Sequence, residues 1–185
     1  MKILETSVEG AFLIEPEKMT DDRGYFMRAF CARELQEAGI NMPVVQANLA
    51  GSRHRGTLRG MHYQTEPHEE GKLVRCIKGS IFDVTLDIRT GSGSYGQWYG
   101  AELTSSNHNM LYLPPGCAHG YLTLEDNTEV YYLVSEYYSP GAERGIRWND
   151  PGFSIDWPIK NNLVMSDKDQ AWPDFGAEYR NAGII

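Results

Sequence analysis

Ile81-Phe82-Asp83-Val84-Thr85-Leu86-Asp87-Ile88-Arg89 is the run on which the fold turns. Phe82, Val84, Leu86 and Ile88 fall on one side of an extended chain and Asp83, Thr85, Asp87 and Arg89 on the other, a period of two that no helix carries. Upstream, Leu73-Val74-Arg75-Cys76-Ile77 is a second apolar run, and Lys78-Gly79-Ser80 between the two is short and Gly-centred enough to close a hairpin. Downstream the texture repeats: residues 97–103, 109–113, 120–124 and 129–137 are short apolar or alternating runs separated by turn residues. Many short strands at this spacing predict an all-β sandwich or barrel, and the spacing suits a jelly roll. Helix signals are few and peripheral. Ala32-Arg33-Glu34-Leu35-Gln36-Glu37-Ala38 is stopped by Gly39, and Ser166 reads as the N-cap of a turn over Asp167-Lys168-Asp169 that Pro173 closes.

The chain of 185 residues, 41% hydrophobic and 23% charged, suits one domain spanning 1–185 and excludes a disordered polymer. Lys and Arg number 17 against 25 Asp and Glu, a net charge of -8 that opposes binding to DNA or RNA as polymers. No stretch approaches the about 20 apolar residues of a membrane span. The opening Met1-Lys2-Ile3-Leu4-Glu5 lacks a signal peptide's apolar run, so the expected location is cytoplasmic. Cys31, Cys76 and Cys117 are an odd, widely spaced set and read as buried thiols, neither a disulfide framework nor a zinc site.

Residues 51–80 run against the overall charge, with six Lys/Arg facing three acids and with His54, His62 and His68 among them. A solvated basic face would account for the charge alone. Leu58-Arg59-Gly60-Met61-His62-Tyr63-Gln64 argues for more, because an Arg and a His inside a β-prone stretch need a wall that satisfies them, one suited to a phosphate and a proton. Pro114-Pro115-Gly116-Cys117-Ala118-His119 matches P-x-G-x-x-H, a signature of cupin jelly rolls, and would bring His119 to the same cavity as His62. A cupin metal site would want an H-x-H pair and a carboxylate, but Gln64 stands where the second histidine would be, and His68 and Glu69 sit in a loop. In Glu129-Val130-Tyr131-Tyr132-Leu133-Val134, alternation puts Tyr132 with Val130 and Val134, and Tyr131 with Leu133. Plain packing accounts for such tyrosines unless one faces the cavity.

These segments, with Asp22-Arg23-Gly24-Tyr25-Phe26, Gln46-Ala47-Asn48, Gly71-Lys72-Leu73-Val74-Arg75, Tyr95-Gly96-Gln97-Trp98, Tyr137-Tyr138-Ser139-Pro140, Trp148-Asn149-Asp150 and Ile155-Asp156-Trp157-Pro158, resemble the dTDP-4-dehydrorhamnose 3,5-epimerases and related nucleotide-sugar epimerases. The matches keep the family's order along nearly the whole chain. The resemblance implies a cupin-type jelly-roll barrel without metal or cofactor. It implies inversion of C3, C5 or both on a nucleoside-diphosphate 4-keto-6-deoxyhexose, with dTDP-4-dehydro-6-deoxy-D-glucose going to dTDP-4-dehydro-L-rhamnose as the leading case. It carries over His62 as base, Asp169 as its carboxylate partner, Lys72 beside the C4 oxygen and Tyr132 as acid. Arg59 and Arg23 carry over as the diphosphate clamp and Gln46 and Asn48 as nucleotide contacts. Phe26 and Tyr138 would sandwich the base, and His119 would touch the sugar. It also implies a homodimer that exchanges N-terminal strands, for which Ile3, Leu4, Phe12, Leu13 and Ile14 suit pairing across subunits, so that Arg23 and Phe26 serve the partner's site.

Two departures leave the ligand open. Arg28 stands where many relatives carry an acid, which leaves dTDP, CDP and GDP as alternatives, and residues 49–57 are richer in Arg and Gly than the rhamnose enzyme leads one to expect. Strict alternation puts Arg59 and His62 on opposite faces, so a bulge at Gly60 is needed to bring both inward. A metal-dependent cupin dioxygenase or isomerase and a non-catalytic sugar-binding jelly roll are the competing readings.

Overall fold

The computed structural model describes residues 1–176. Its strands are β1 (Lys2–Glu5), β2 (Phe12–Glu15), β3 (Lys18–Asp21), β4 (Gly24–Met27), β5 (Gln46–Ser52), β6 (Leu58–Gln64) and β7 (Lys72–Lys78). They continue with β8 (Ser80–Asp87), β9 (Trp98–Thr104), β10 (Met110–Leu113), β11 (Cys117–Thr123), β12 (Thr128–Val134) and β13 (Glu143–Gly145). Two short helices, α1 (Ala32–Glu37) and α2 (Asp167–Gln170), lie at the periphery. A six-stranded sheet in the order β1-β2-β10-β7-β12-β5 faces a five-stranded one in the order β13-β6-β11-β8-β9, and β3 and β4 form a separate hairpin. The all-β jelly roll predicted from the strand spacing is the fold observed.

Alternation decides what lies between the sheets and what lies outside. Val74, Cys76 and Val130 of one sheet meet Ile81, Leu103 and Tyr121 of the other and close the interior at one end with an apolar plug. The opposite face of the five-stranded sheet is also apolar: Leu58, Met61, Val84, Leu86 and Leu122 are covered by Ile146, Ile155 and Trp157 from the C-terminal segment. Each such buried side chain stabilises the fold by about 1.5–3 kcal/mol. Backbone bonds tie that segment down, Ile146 N to Met61 O at 3.0 Å and Leu58 N to Val164 O at 3.0 Å. Leu35 of α1, with Ile40 and Met42, covers Ile14, Met110 and Tyr112 on the outside of the six-stranded sheet.

Two sequence expectations shift. The polar side of β8 does not meet water: Asp83, Thr85 and Asp87 are fully buried and line the barrel interior. The strand expected over residues 129–137 stops at Val134, just past which Ser135 and Gly71 exchange two bonds, Ser135 N to Gly71 O at 3.0 Å and Gly71 N to Ser135 Oγ at 2.8 Å. Within the chain Ile3 stands opposite Ile14, and Ile14 opposite Met110, with β1 at the edge of its sheet. Among the described residues the segment without a neighbour in either main sheet is the β3–β4 hairpin, which carries Arg23 and Phe26.

Candidate active site

β6 delivers the first two groups. Leu58 and Met61 point out to the apolar layer, so Arg59 and His62 must both point in, and one residue has to be absorbed between them. Gly60 absorbs it: Arg59 is opposite Tyr121 and His62 opposite His119, with the register shifting in between. Gly60 has φ +132°, and a Cβ there would stand 2.4 Å from the Gly120 Cα, so only glycine fits.

The facing wall comes from the other sheet. Lys72, Val134 and Gln46 are in register across β7, β12 and β5, as are Val74, Tyr132 and Asn48. Side chains in register share a face, so Gln46, Asn48, Lys72 and Tyr132 all enter the interior, and Tyr131 goes to the outside beside Leu49 and Arg75. A chamber of 370 Å³ between the walls is lined by Arg59, His62, Lys72, His119, Tyr121 and Tyr132, with Lys168 and Asp169 of α2 at its side. A second, of 280 Å³, adds Gln46, Asn48, Glu70, Tyr138 and Glu143. His62, Lys72 and Tyr132 border both, which makes the two chambers one cleft with these three at its waist.

The polar groups are paired in a definite way. His62 Nε2 lies 2.5 Å from Asp169 Oδ1. The Ser166 hydroxyl caps α2 by accepting from Asp169 N at 3.1 Å, which presents the Asp169 side chain to the ring. Burial pushes the Asp169 carboxyl upward, but bonding from His62, Ser166 and Trp172 outweighs it and holds the group below its ordinary value, an ionised partner for an imidazolium. Trp172 meets the His62 ring edge-on at 6.4 Å. Lys72 Nζ is 2.9 Å from Glu70 Oε1. His119 Nε2 is 2.8 Å from Asp83 Oδ1. Burial, reinforced by Glu70 and opposed by Arg59, raises the Tyr132 phenol, so it carries its proton at neutral pH. Arg59 donates to Gly51 O at 3.1 Å and keeps an exposed guanidinium edge at the mouth.

Nine of the eleven residues expected in the site line this cleft, and two do not. Arg23 sits on the β3–β4 turn with its side chain 90% exposed, bonded to Asp21. Phe26 lies in another concavity, with Met19, Arg28 and Glu34. The Phe26–Tyr138 sandwich is therefore not assembled within one chain. Tyr138 instead donates to Glu143 Oε2 at 2.7 Å, and Lys168 Nζ donates to the other Glu143 oxygen at 2.6 Å. Arg28 bonds Glu34. Sequence reasoning missed Glu70, Asp83, Tyr121, Glu143 and Lys168. Asp83 and Tyr121 had a usable signal, polar groups at inward positions of strands already recognised, whereas Glu70 comes from a loop without periodicity. Each active-site histidine engages a carboxylate of its own, and among the described residues no three His, Cys, Asp or Glu side chains gather as a metal site would require.

Comparison with known proteins places the chain as a whole. The family model described as dTDP-4-dehydrorhamnose 3,5-epimerase matches residues 5–177. A dTDP-4-dehydrorhamnose 3,5-epimerase of Methanothermobacter thermautotrophicus is 45% identical over 173 residues, covering 92% of each chain. The crystal structure of the enzyme of that name from Elizabethkingia anophelis superposes with a TM-score of 0.92 at 36% identity, over 95% of this chain and 96% of that one. The Legionella pneumophila dTDP-6-deoxy-D-glucose-3,5-epimerase, solved in complex with dTDP-4-keto-L-rhamnose, gives a TM-score of 0.89 at 37% identity, over 95% and 93%. A cleft with a histidine–carboxylate pair on one sheet and a lysine and tyrosine on the other, in a chain matched almost end to end, leads to one conclusion: the chain belongs to the dTDP-4-dehydrorhamnose 3,5-epimerase family.

Proposed function

We propose that the cleft epimerises dTDP-4-dehydro-6-deoxy-D-glucose towards dTDP-4-dehydro-L-rhamnose by removing a proton next to the ketone and returning one from the other side of the ring. The observation that carries this reading is the placement of His62 and Tyr132 on opposite sheets across one cavity. A binding module has no need of an acid facing a base. Neutral His62 takes the α-proton, and ionised Asp169 steadies the imidazolium that results. The electron pair moves onto the C4 oxygen, where the Lys72 ammonium meets the developing charge. When the enolate collapses, Tyr132 supplies the proton to the opposite face. Arg59 at the mouth receives the diphosphate, Gln46 and Asn48 contact the nucleotide, and His119, fixed by Asp83, contacts the sugar. Every step uses groups of the chain and the acidity that the substrate's own ketone provides.

The active unit in this reading is a homodimer in which Arg23 and Phe26 complete the partner's cleft. Their distance from their own cleft supports it, as does the outer face near edge strand β5, where Leu49 (63% exposed), Val44 and Tyr131 stand uncovered. Incubating the 4-keto sugar in deuterated water tests the chemistry. Wild-type protein should wash deuterium into the ring and form epimer. His62→Ala should abolish both, and Asp169→Asn should slow exchange by about 10²–10⁴-fold without removing it. Exchange at the wild-type rate in both variants would overturn the assignment.

A further inference from the structure

We propose that Trp172 is a positioning residue of the proton-transfer pair: its indole, lying over Gly145, clamps α2 against β6 and β13 so that Asp169 stays within bonding distance of His62. The inference rests on the reading of the cleft given above and adds to it a side chain that acts on the reaction through Asp169.

α2 spans four residues, little more than one turn, and a helix that short does not hold its own shape in water. The Ser166 cap orders its start. Its far end is fastened by Trp172. A Cβ on Gly145 would stand 2.2, 2.3 and 2.4 Å from Cε2, Cδ2 and Nε1 of that indole, so the ring rests on the backbone of β13 at the one place where no side chain intervenes. Gly145 is the register partner of His62 in the β13–β6 ladder, and the ring laid there meets the imidazole edge-on at 6.4 Å. The next residue is tied to the same stretch of chain, with Arg147 N donating to Pro173 O at 2.8 Å.

Asp169 precedes Trp172 by three residues, and the indole is among the groups that hold its carboxyl below the ordinary value. Trp172 borders neither chamber, so its influence on the substrate has to pass through the dyad. A pair closed at 2.5 Å is sensitive to small movements, since a misplacement of about 1 Å can cost about 10²-fold in rate.

Steady-state kinetics with the 4-keto sugar test the clamp on Trp172→Ala, which removes the ring, and on Gly145→Ala, which drives a methyl group into it. Each should lower kcat by about tenfold with KM and dTDP affinity within about twofold of wild type, because neither change reaches Gln46, Asn48 or Arg59. In the Trp172→Ala background Gly145→Ala should alter kcat by less than about twofold, since the ring it would strike is gone. In the Asp169→Asn background Trp172→Ala should do no more than that. Proton NMR gives a readout without turnover. The far-downfield imidazole N–H resonance of the short His62–Asp169 bond, assigned by its absence from His62→Ala, should broaden or vanish in both single variants. A kcat within about twofold of wild type in Trp172→Ala, full additivity with Asp169→Asn, or a resonance unchanged in both variants overturns the proposal. A wild-type protein that binds dTDP and does not epimerise would overturn the reading of the cleft instead, and the resonance would then decide the clamp alone.

Discussion

Tyr131 and Tyr132 are neighbours in the chain with opposite surroundings, and they give the sharpest test of the acid assignment. Tyr132→Phe keeps the ring that packs near Val74 and Val130 and removes only the proton donor. His62 can still abstract, so this variant should wash deuterium into recovered substrate with retained configuration while epimer formation falls by about 10²–10⁴-fold. Tyr131→Phe, on the outer face, should stay within about twofold of wild type. If the two swap roles in the assay, the acid assignment is wrong. Residue types and strand parity made most of this site legible: His62, Lys72, Tyr132, Gln46 and Asn48 are all inward positions. Parity is silent about the partners that the tertiary fold supplies. Glu70 is only two residues before Lys72 but stands outside the strand, where alternation gives no face, and nothing local to His119 announces Asp83, because that pairing depends on two strands coming into register.

Among the elements, β6 bears the tightest constraint. Gly60→Ala would force a Cβ onto the Gly120 backbone at 2.4 Å and into a φ that alanine avoids. The ladder has to open there, and with it the geometry that points Arg59 and His62 the same way. We expect a loss of about 2–4 kcal/mol in a urea titration and a fall in kcat of at least about 10²-fold, and retention of wild-type kcat would show that the bulge is dispensable. The bulge was legible because two residues three apart both had to face inward with a glycine between them. The end of β12 was not, since Glu136-Tyr137-Tyr138 continues to look like strand although the ladder ends at Val134. The alternation in β8 gave the strand itself, and both of its faces proved buried because a jelly roll with a polar interior inverts the usual assumption that the polar side meets water.

At the scale of the whole molecule, acid stability follows from its buried carboxylates. Burial raises Asp87, but the bonds it accepts from Arg89, Ser92 and Ser94 prevail and hold it far below the ordinary aspartate range, and Asp169 and Glu143 are lowered too. Depressed values mean stability that is fully present above about pH 4 and is lost as pH falls through the folded-state values. Chemical denaturation should therefore give a plateau near neutrality and a decline below about pH 4. Asp87→Asn should cost about 2–4 kcal/mol at pH 7 and flatten that decline, and an unchanged slope would remove Asp87 as its source. The proposed contribution of Arg23 to the partner's cleft is tested by mixing two impaired variants, His62→Ala and Arg23→Ala. Random pairing gives half heterodimers with one intact cleft each, so activity should recover to about a quarter of wild type, and no recovery would confine Arg23 to its own subunit. The dyad itself spans 107 positions of sequence, and Asp169 reaches His62 only after Ile146, Ile155 and Trp157 have been laid against the outside of the sheet that holds the histidine. During synthesis the barrel strands emerge well before that strap does. A nascent chain with both sheets already formed still lacks the His62–Asp169 contact, so on the proposed mechanism reactivity towards an acidic C–H bond is withheld until the last layer of packing has closed.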